Sequence, residues 1–178
     1  MLDILTYVAI ALAVVAVVLL AYAATKPDTF RVQRTTGIDA PAERIFPLIA
    51  NLKSMNTWNP FVEPDPAIEL TYTGPESGKG AAHTWSGNAK VGEGRIEITD
   101  AAPPSKIAMQ LDMLKPMKAR NAVEFTLQPN GSGTTVTWAM SGRQPFIGKL
   151  MTIFIDCDRM VGGQFEKGLA NLKATAER

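Results

Sequence analysis

One cysteine and one histidine in 178 residues set the first limits on what this chain does. A lone Cys157 excludes an intramolecular disulfide and agrees with a reducing compartment. With His83 as the sole imidazole, no zinc tetrad of Cys and His ligands can be assembled. No acidic loop has the spacing that calcium requires, so no metal is expected. Phosphate-cradling glycine motifs are missing too, since Gly78-Lys79-Gly80 and Gly92-Glu93-Gly94 lack the strand–loop–helix setting that aims amides at phosphate. The 18 Lys and Arg residues are interspersed with 17 Asp and Glu, for a net charge of +1. That leaves no basic stripe and removes nucleic acid from the expected partners. Repeats, heptads and low-complexity tracts are absent, and no cofactor is expected.

The absence with the largest consequence lies near the N-terminus, where no charged side chain occurs from Ile4 to Ala24. This run of Val, Leu, Ile and Ala is about as long as the roughly 20 residues a helix needs to cross the hydrocarbon core. A helix can do so because its backbone hydrogen bonds are satisfied internally. A cleaved signal peptide is the competing reading. Ala21-Tyr22-Ala23 supplies a small-x-small site, but the positive n-region is missing and the charge before the run is Asp3. A buried core helix fits less well, since the apolar character runs all round. Lys26, Arg31 and Arg34 follow the span and no Lys or Arg precedes it, which puts the rest of the chain in the cytoplasm. The expected organisation is a single-pass anchor and linker over residues 1–28 and one domain over 29–178, roughly 150 residues and enough for a substantial core.

Within that domain the periodicity changes in a definite order. Phe30 to Ile38 reads as a strand, and Asp39-Ala40-Pro41-Ala42-Glu43 as a helix start with Asp39 as the cap. Ile45, Phe46, Leu48, Ile49 and Leu52 form the apolar stripe, and a second short helical piece runs around Ser54 to Trp58. Six strands then follow, at Ile68–Thr73, Ala81–Ser86, Gly92–Asp100, Ser105–Met113, Lys118–Leu127 and Thr134–Met140. Ile107, Met109, Leu111 and Met113 share one face, as do Asn121, Val123, Phe125 and Leu127, and Val136, Trp138 and Met140. A sheet with one apolar face needs a cover. The cover is a helical pattern from Phe146 to Ala176, interrupted at Gly162-Gly163, where a bend or a close backbone approach is expected.

Four segments, taken in order, carry a family resemblance: Ile38-Asp39-Ala40-Pro41-Ala42-Glu43-Arg44-Ile45-Phe46, Trp58-Asn59-Pro60-Phe61, Gly94-Arg95-Ile96-Glu97-Ile98, and Phe165 to Lys173. With the element order, they make the chain resemble the START-like or SRPBCC superfamily of polyketide cyclase/dehydrase-like proteins over about Phe30 to Ala176. The resemblance implies an α+β helix-grip fold, a curved seven-stranded antiparallel sheet around a long C-terminal helix with a deep cavity between them. It also implies an apolar ligand such as a lipid, sterol or polyketide, and only some members of such families are enzymes.

Trp85, Met109, Met113, Phe125, Trp138 and Met140 from the sheet, with Phe154 and Phe165 from the helix, are the candidate cavity lining. Methionine adapts to variable ligand shapes. Each of them has plain core as its alternative. Asn121, in phase with Val123 and Phe125, is the candidate polar contact, or else bonds a neighbouring loop. His83 has no partner in sequence that would tune it as a base, and no residue is assigned a catalytic role. Asp156 and Asp158 flank Cys157, point apart on a helix, and are expected to be solvated. Ile147 to Ile155 carries one charge, Lys149. It reads either as a helix entrance near a bilayer surface or as a turn buried between sheet and loops. The function expected is membrane-anchored binding of a hydrophobic small molecule or lipid, with cyclase-, dehydratase- or hydrolase-like catalysis and a protein-interaction module as alternatives.

Overall fold

A computed structural model describes residues 2–178. It opens with α1, Leu2–Thr25, a helix of 24 residues. At 1.5 Å per residue this is about 36 Å, longer than the roughly 30 Å hydrocarbon layer. None of its apolar window is buried against the rest of the protein, and it is long and apolar enough to cross a membrane. Ala23, in its last turn, is fully buried.

Then come β1 (Thr29–Ile38), α2 (Ala42–Ala50), α3 (Leu52–Met55), β2 (Glu69–Thr73), β3 (Ala82–Ser86), β4 (Glu93–Ala102), β5 (Lys106–Lys115), β6 (Ala119–Asn130) and β7 (Gly133–Arg143), followed by α4 (Phe146–Met151) and α5 (Cys157–Ala176). The strands form one antiparallel sheet in the order β1-β7-β6-β5-β4-β3-β2. The sequential strands β2 to β7 form a meander, and β1 closes beside β7. Helix α5 lies over β1 and β7 and touches α2, so the α+β helix-grip architecture is present. The expected strands are all found, most of them a residue or more longer, because pairing continues past the last apolar residue. β6 and β7 pair up to Asn130 and Gly133, which leaves Gly131-Ser132 as the whole turn.

Local chemistry departs from the sequence reading at three points. Asp39 does not cap α2. The residue before that helix is Pro41, without a side-chain cap, and the Asp39 backbone N–H donates to Glu177 Oε1 (2.7 Å) at the far end of α5. The second helical piece starts earlier than expected because Asn51 Oδ1 accepts from the N–H groups of Lys53 (2.9 Å) and Ser54 (3.1 Å). The C-terminal helical pattern is two helices, and the break falls at residues 152–156, not at the paired glycines. There Asp156 starts a new helix by accepting from the Arg159 N–H (2.9 Å).

Gly162 and Gly163 both lie inside α5. Gly162 is buried beneath Arg34 of β1, and a Cβ there would clash with the guanidinium, whereas one on Gly163 would meet nothing. The glycine admits a charged side chain between strand and helix. Arg34 pairs with Asp158 (2.9 Å) and Glu166 (2.6 Å), which lie about two turns apart on α5, one on each side of Gly162. Both carboxylates are exposed, as expected, and in addition Asp158 is ion-paired and Asp156 is a cap. The pairing keeps Arg34 protonated and holds the Asp158 carboxyl below its usual range.

Candidate functional site

Strand register sorts the concave sheet face into rows, each made of residues directly opposite one another. The row farthest from α4 of those described here runs Ile107, Phe125, Trp138, Arg34. Next comes Ile98, Met109, Val123, Met140, Val32, then Tyr72, His83, Ile96, Leu111, Asn121, Gly142, Phe30, and last Leu70, Trp85, Gly94, Met113. Burial falls steadily along this series. The apolar residues of the first row are all buried, and in the second only Met140 is half-exposed. In the third row Tyr72, Leu111 and Phe30 are half-buried, and in the last Leu70, Trp85 and Met113 are. One end of the face is filled core. The other, toward the end of the sheet where β7 leaves for α4, carries apolar side chains that are only half-buried.

The filled end is aromatic. Trp138 stacks on Phe165 of α5 with centroids 4.3 Å apart and planes 9° from parallel, and Phe125 lies 4.9 Å from the same indole. Trp58 meets Phe125 and Trp138 edge-on, and Phe61 meets Trp138 and Phe165 the same way. These contacts follow the quadrupole preference of aromatic rings for offset or edge-to-face packing. The segment from Trp58 to Phe61 is fixed by its own hydrogen bonds, Trp58 Nε1–H to the Leu48 carbonyl (3.0 Å) and Asn171 Nδ2–H to the Trp58 carbonyl (3.1 Å).

At the open end, Gly94 lets the Trp85 ring lie flat on β4, since a Cβ there would strike the indole. Trp85 Nε1–H donates to the Val91 carbonyl (3.3 Å), which fixes the ring at this end of the face. Of the nine expected lining residues, Trp85, Met113, Met140 and Asn121 lie in or beside this open half. Met109, Phe125, Trp138 and Phe165 lie together in the packed half. Phe154 joins neither. It sits in the turn between α4 and α5, 72% exposed, because the helix expected to carry it inward ends at Met151.

His83 is buried at 5% exposure. Its Nε2 is 3.4 Å from Asn56 Nδ2, which also donates to the Tyr72 hydroxyl (3.0 Å), and its ring contacts Tyr72 and Trp85. Nδ1 is buried without a hydrogen-bond partner, as is Nε1 of Trp138. Burial pushes the imidazole pKa down, outweighing a backbone interaction with Thr84 that pushes it up, and Nε2 accepts where the Asn56 amide donates. Among the described residues, no carboxylate bonds to it. Asn56, Tyr72 and the Arg34 clamp escaped sequence reasoning because their partners are 16 or more residues away in the chain. Leu111 was visible in the Met109–Met113 alternation. Two surface pockets lie elsewhere. One of about 410 Å³ is bounded by Leu52, Lys53, Tyr72 and Ala81, and one of about 400 Å³ by Pro41, Pro104, Leu127 and Pro129. Among the described residues, no cluster of His, Cys, Asp and Glu could hold a metal ion.

A family model described as polyketide cyclase / dehydrase and lipid transport matches residues 29–177. No curated protein matches the sequence. Solved structures share the fold at low identity. A protein from Chromobacterium violaceum is 15% identical, with 86% of this chain and 99% of that one covered and a TM-score of 0.60. The major latex-like protein 151 of Panax ginseng is 10% identical, with 85% and 100% covered and a TM-score of 0.61. The Aha1 dimer of Colwellia psychrerythraea is 17% identical, with 83% and 96% covered and a TM-score of 0.59.

Proposed function

The chain belongs to the polyketide cyclase / dehydrase and lipid transport family, and from that premise we propose that it is a membrane-anchored binding protein for a hydrophobic small molecule or lipid. Residues 1–28 are its anchor and linker, and residues 29–178 its ligand-binding domain on the cytoplasmic side. The observation that carries the reading is the burial gradient across one sheet face. An aromatic core seals one end, while at the other Trp85, Leu111, Met113 and Met140 are only half-buried and form the apolar groove that this reading assigns to the ligand. Such a groove rewards an apolar ligand by the area removed from water, about 25 cal/mol per Å². Asn121, buried midway along it, is the polar group that orients a ligand head.

The test is native mass spectrometry of the full-length protein purified in mild detergent, with lipid extraction alongside. A copurifying apolar molecule at defined stoichiometry supports the reading. Loss of that molecule on Met113→Trp and Leu111→Trp, which fill the groove, assigns the site. If the wild type carries nothing and binds no fluorescent fatty-acid probe, the reading fails. A reporter fused after Arg178 is expected to behave as cytoplasmic, and a mature N-terminus near Ala24 would overturn the anchor.

A second reading, cyclase- or dehydratase-like catalysis, draws on one observation: His83 is a buried imidazole whose Nε2 faces the Asn56 amide that also donates to the Tyr72 hydroxyl, while its Nδ1 makes no side-chain hydrogen bond. Removing an acid–base group costs at least about a hundredfold in rate. If a turnover is found, His83→Gln is expected to keep most of it on the binding reading, and to lose about a hundredfold or more on the catalytic one.

A further inference from the structure

The corner made by α4 and the start of α5 has an unusual surface. Phe146, Ile147, Met151, Phe154, Ile155 and Met160 are each between 42% and 72% exposed. This excludes the reading in which the turn is buried between sheet and loops. It also departs from what water-facing helices show, since bulky apolar groups are gathered in one short stretch of chain rather than scattered singly.

Three observations say what covers this surface. The first is where α1 ends. After Thr25, the linker is tied to α4 by several bonds: Lys26 Nζ donates to the Thr152 carbonyl (3.5 Å), the Gln144 N–H to the Asp28 carbonyl (2.7 Å), and Lys149 Nζ pairs with Asp28 (2.6 Å). Ala23 is buried in the same junction, where α1 meets α4. From Thr25 to Asp28 the chain can extend at most about 10 Å. Where α1 spans a bilayer, α4 is therefore held at the headgroup layer, because it packs directly against the end of α1 and polar layers add roughly 5–8 Å on each side of the hydrocarbon.

The second is charge. Between Gln144 and Ile155 the sole charged residue is Lys149, and it is buried in its pair with Asp28. The charge that faces out at the junction, the Asp28 carboxylate at 90% exposure, is paired with Lys149, while exposed Arg143 and Arg159 flank the patch, where they suit anionic headgroups. Of the nearby acids, Asp156 caps α5 and Asp158 is paired with Arg34.

The third is the sheet end itself. Register puts the β5–β6 connection beside the end of β7, because Met113 pairs with Ala119 and Asn121 with Gly142. Met117 in that connection is 60% exposed, and Leu114 near the end of β5 is exposed as well.

We propose that the α4–α5 corner, with the β5–β6 connection, is a second membrane contact that inserts into the headgroup–acyl boundary of the leaflet from which α1 emerges. It rests on α1 spanning a bilayer and stands whether or not the groove carries a ligand. It also sets the open end of the groove against the leaflet, so that a bilayer-resident molecule enters without crossing water.

The test uses full-length protein in phosphatidylcholine–phosphatidylglycerol liposomes. On a Cys157→Ser background, single cysteines at Phe154, Met117 and Ser132 carry a bimane label. Ser132 is the control, in the β6–β7 turn at the far end of the sheet. Doxyl-lipid quenching at the Phe154 and Met117 sites is expected to exceed that at Ser132 several-fold, and iodide quenching to show the reverse order. A Phe154 label as open to iodide as the Ser132 label overturns the proposal, as does release of the protein by alkaline carbonate. A second arm keeps Phe154 intact. Phe146→Asp with Ile147→Asp is expected to halve, or more than halve, lipid quenching at Met117 while shifting Tm by no more than a few degrees. Unfolding by this pair overturns the proposal, because the segment is then core. Strong lipid quenching in a protein that carries no apolar molecule leaves the contact standing and refutes only the binding function.

Discussion

Phe165→Ala and Met113→Ala, compared in one assay, separate packed core from ligand groove on the same sheet face. Phe165 is 2% exposed and stacked on Trp138 at 4.3 Å. A phenylalanine buries at least about 150 Å², which at 25 cal/mol per Å² is about 4 kcal/mol. Measured Phe→Ala costs of about 3–5 kcal/mol agree, because the cavity left behind collapses only in part. Trp138 also loses its stacked partner, and its unpartnered Nε1 faces a new void. Met113 starts half-exposed and removes less apolar area, so its truncation costs on the order of 1–2 kcal/mol.

For about 150 folded residues, each kcal/mol moves Tm by about 2–4 °C, so Phe165→Ala is expected to lower Tm by at least about 6 °C and Met113→Ala by no more than about 8 °C. Urea titration of the full-length protein in detergent gives the free energies directly, provided both variants keep the wild-type m-value. Ligand retention supplies the crossed readout. Met113→Ala is expected to weaken binding of a fluorescent fatty-acid probe more per kcal/mol of lost stability than Phe165→Ala does. Equal destabilisation by the two substitutions refutes the division of the face into core and groove. So does a Phe165→Ala cost under about 1 kcal/mol, which would place Phe165 on the wall of an open cavity.

Two further outcomes follow from the same geometry. Because burial lowers the His83 pKa in the folded state, the unfolded chain binds the extra proton, and stability falls as pH drops below the unfolded value of about 6.5. The slope from this group is at most about 1.4 kcal/mol per pH unit, and His83→Gln is expected to flatten the pH 7 to 5 segment of a urea-midpoint profile; an unchanged slope refutes the burial argument. At the paired glycines, Gly163→Ala is expected to stabilise by about 0.5–1 kcal/mol through helix propensity, since its new methyl meets nothing. Gly162→Ala is expected to give no such gain, because it drives Arg34 off Asp158 and Glu166; equal thermal shifts from the two changes would show that the guanidinium does not depend on that space.

Alternation made the strands legible. Wherever apolar and polar residues alternate over several positions, as from Ile107 to Met113 or Thr134 to Met140, pairing and face are fixed together. Family membership and the helix-grip fold were readable for the same reason. The site was less so, since periodicity gives the face a side chain is on and not how far along the face it lies. Met109 and Met113 share strand and phase, yet one is 2% exposed and the other half-exposed, because α5 and the Trp58–Phe61 segment cover only one end of the sheet. Arg34 illustrates a different limit. Its place between β1 and α5 depends on Gly162, 128 positions later in the chain, and neither residue signals the other locally.

The break between α4 and α5 shows why helical spacing misled at Phe154. Ile147, Leu150, Met151 and Phe154 recur at intervals of three and four, the pattern of a helix face that seeks an apolar environment. The pattern does not specify whether that environment is the interior of the protein or the boundary of a bilayer, since both reward removal of the same side chains from water. Local chemistry makes the distinction. Asp156 restarts the helix, α4 is left only six residues long, and its far end is fixed to the exit of α1 through Asp28 and Lys149. On the proposed membrane contact, a segment pinned that close to the exit of α1 turns its apolar side outward toward lipid rather than toward the protein interior.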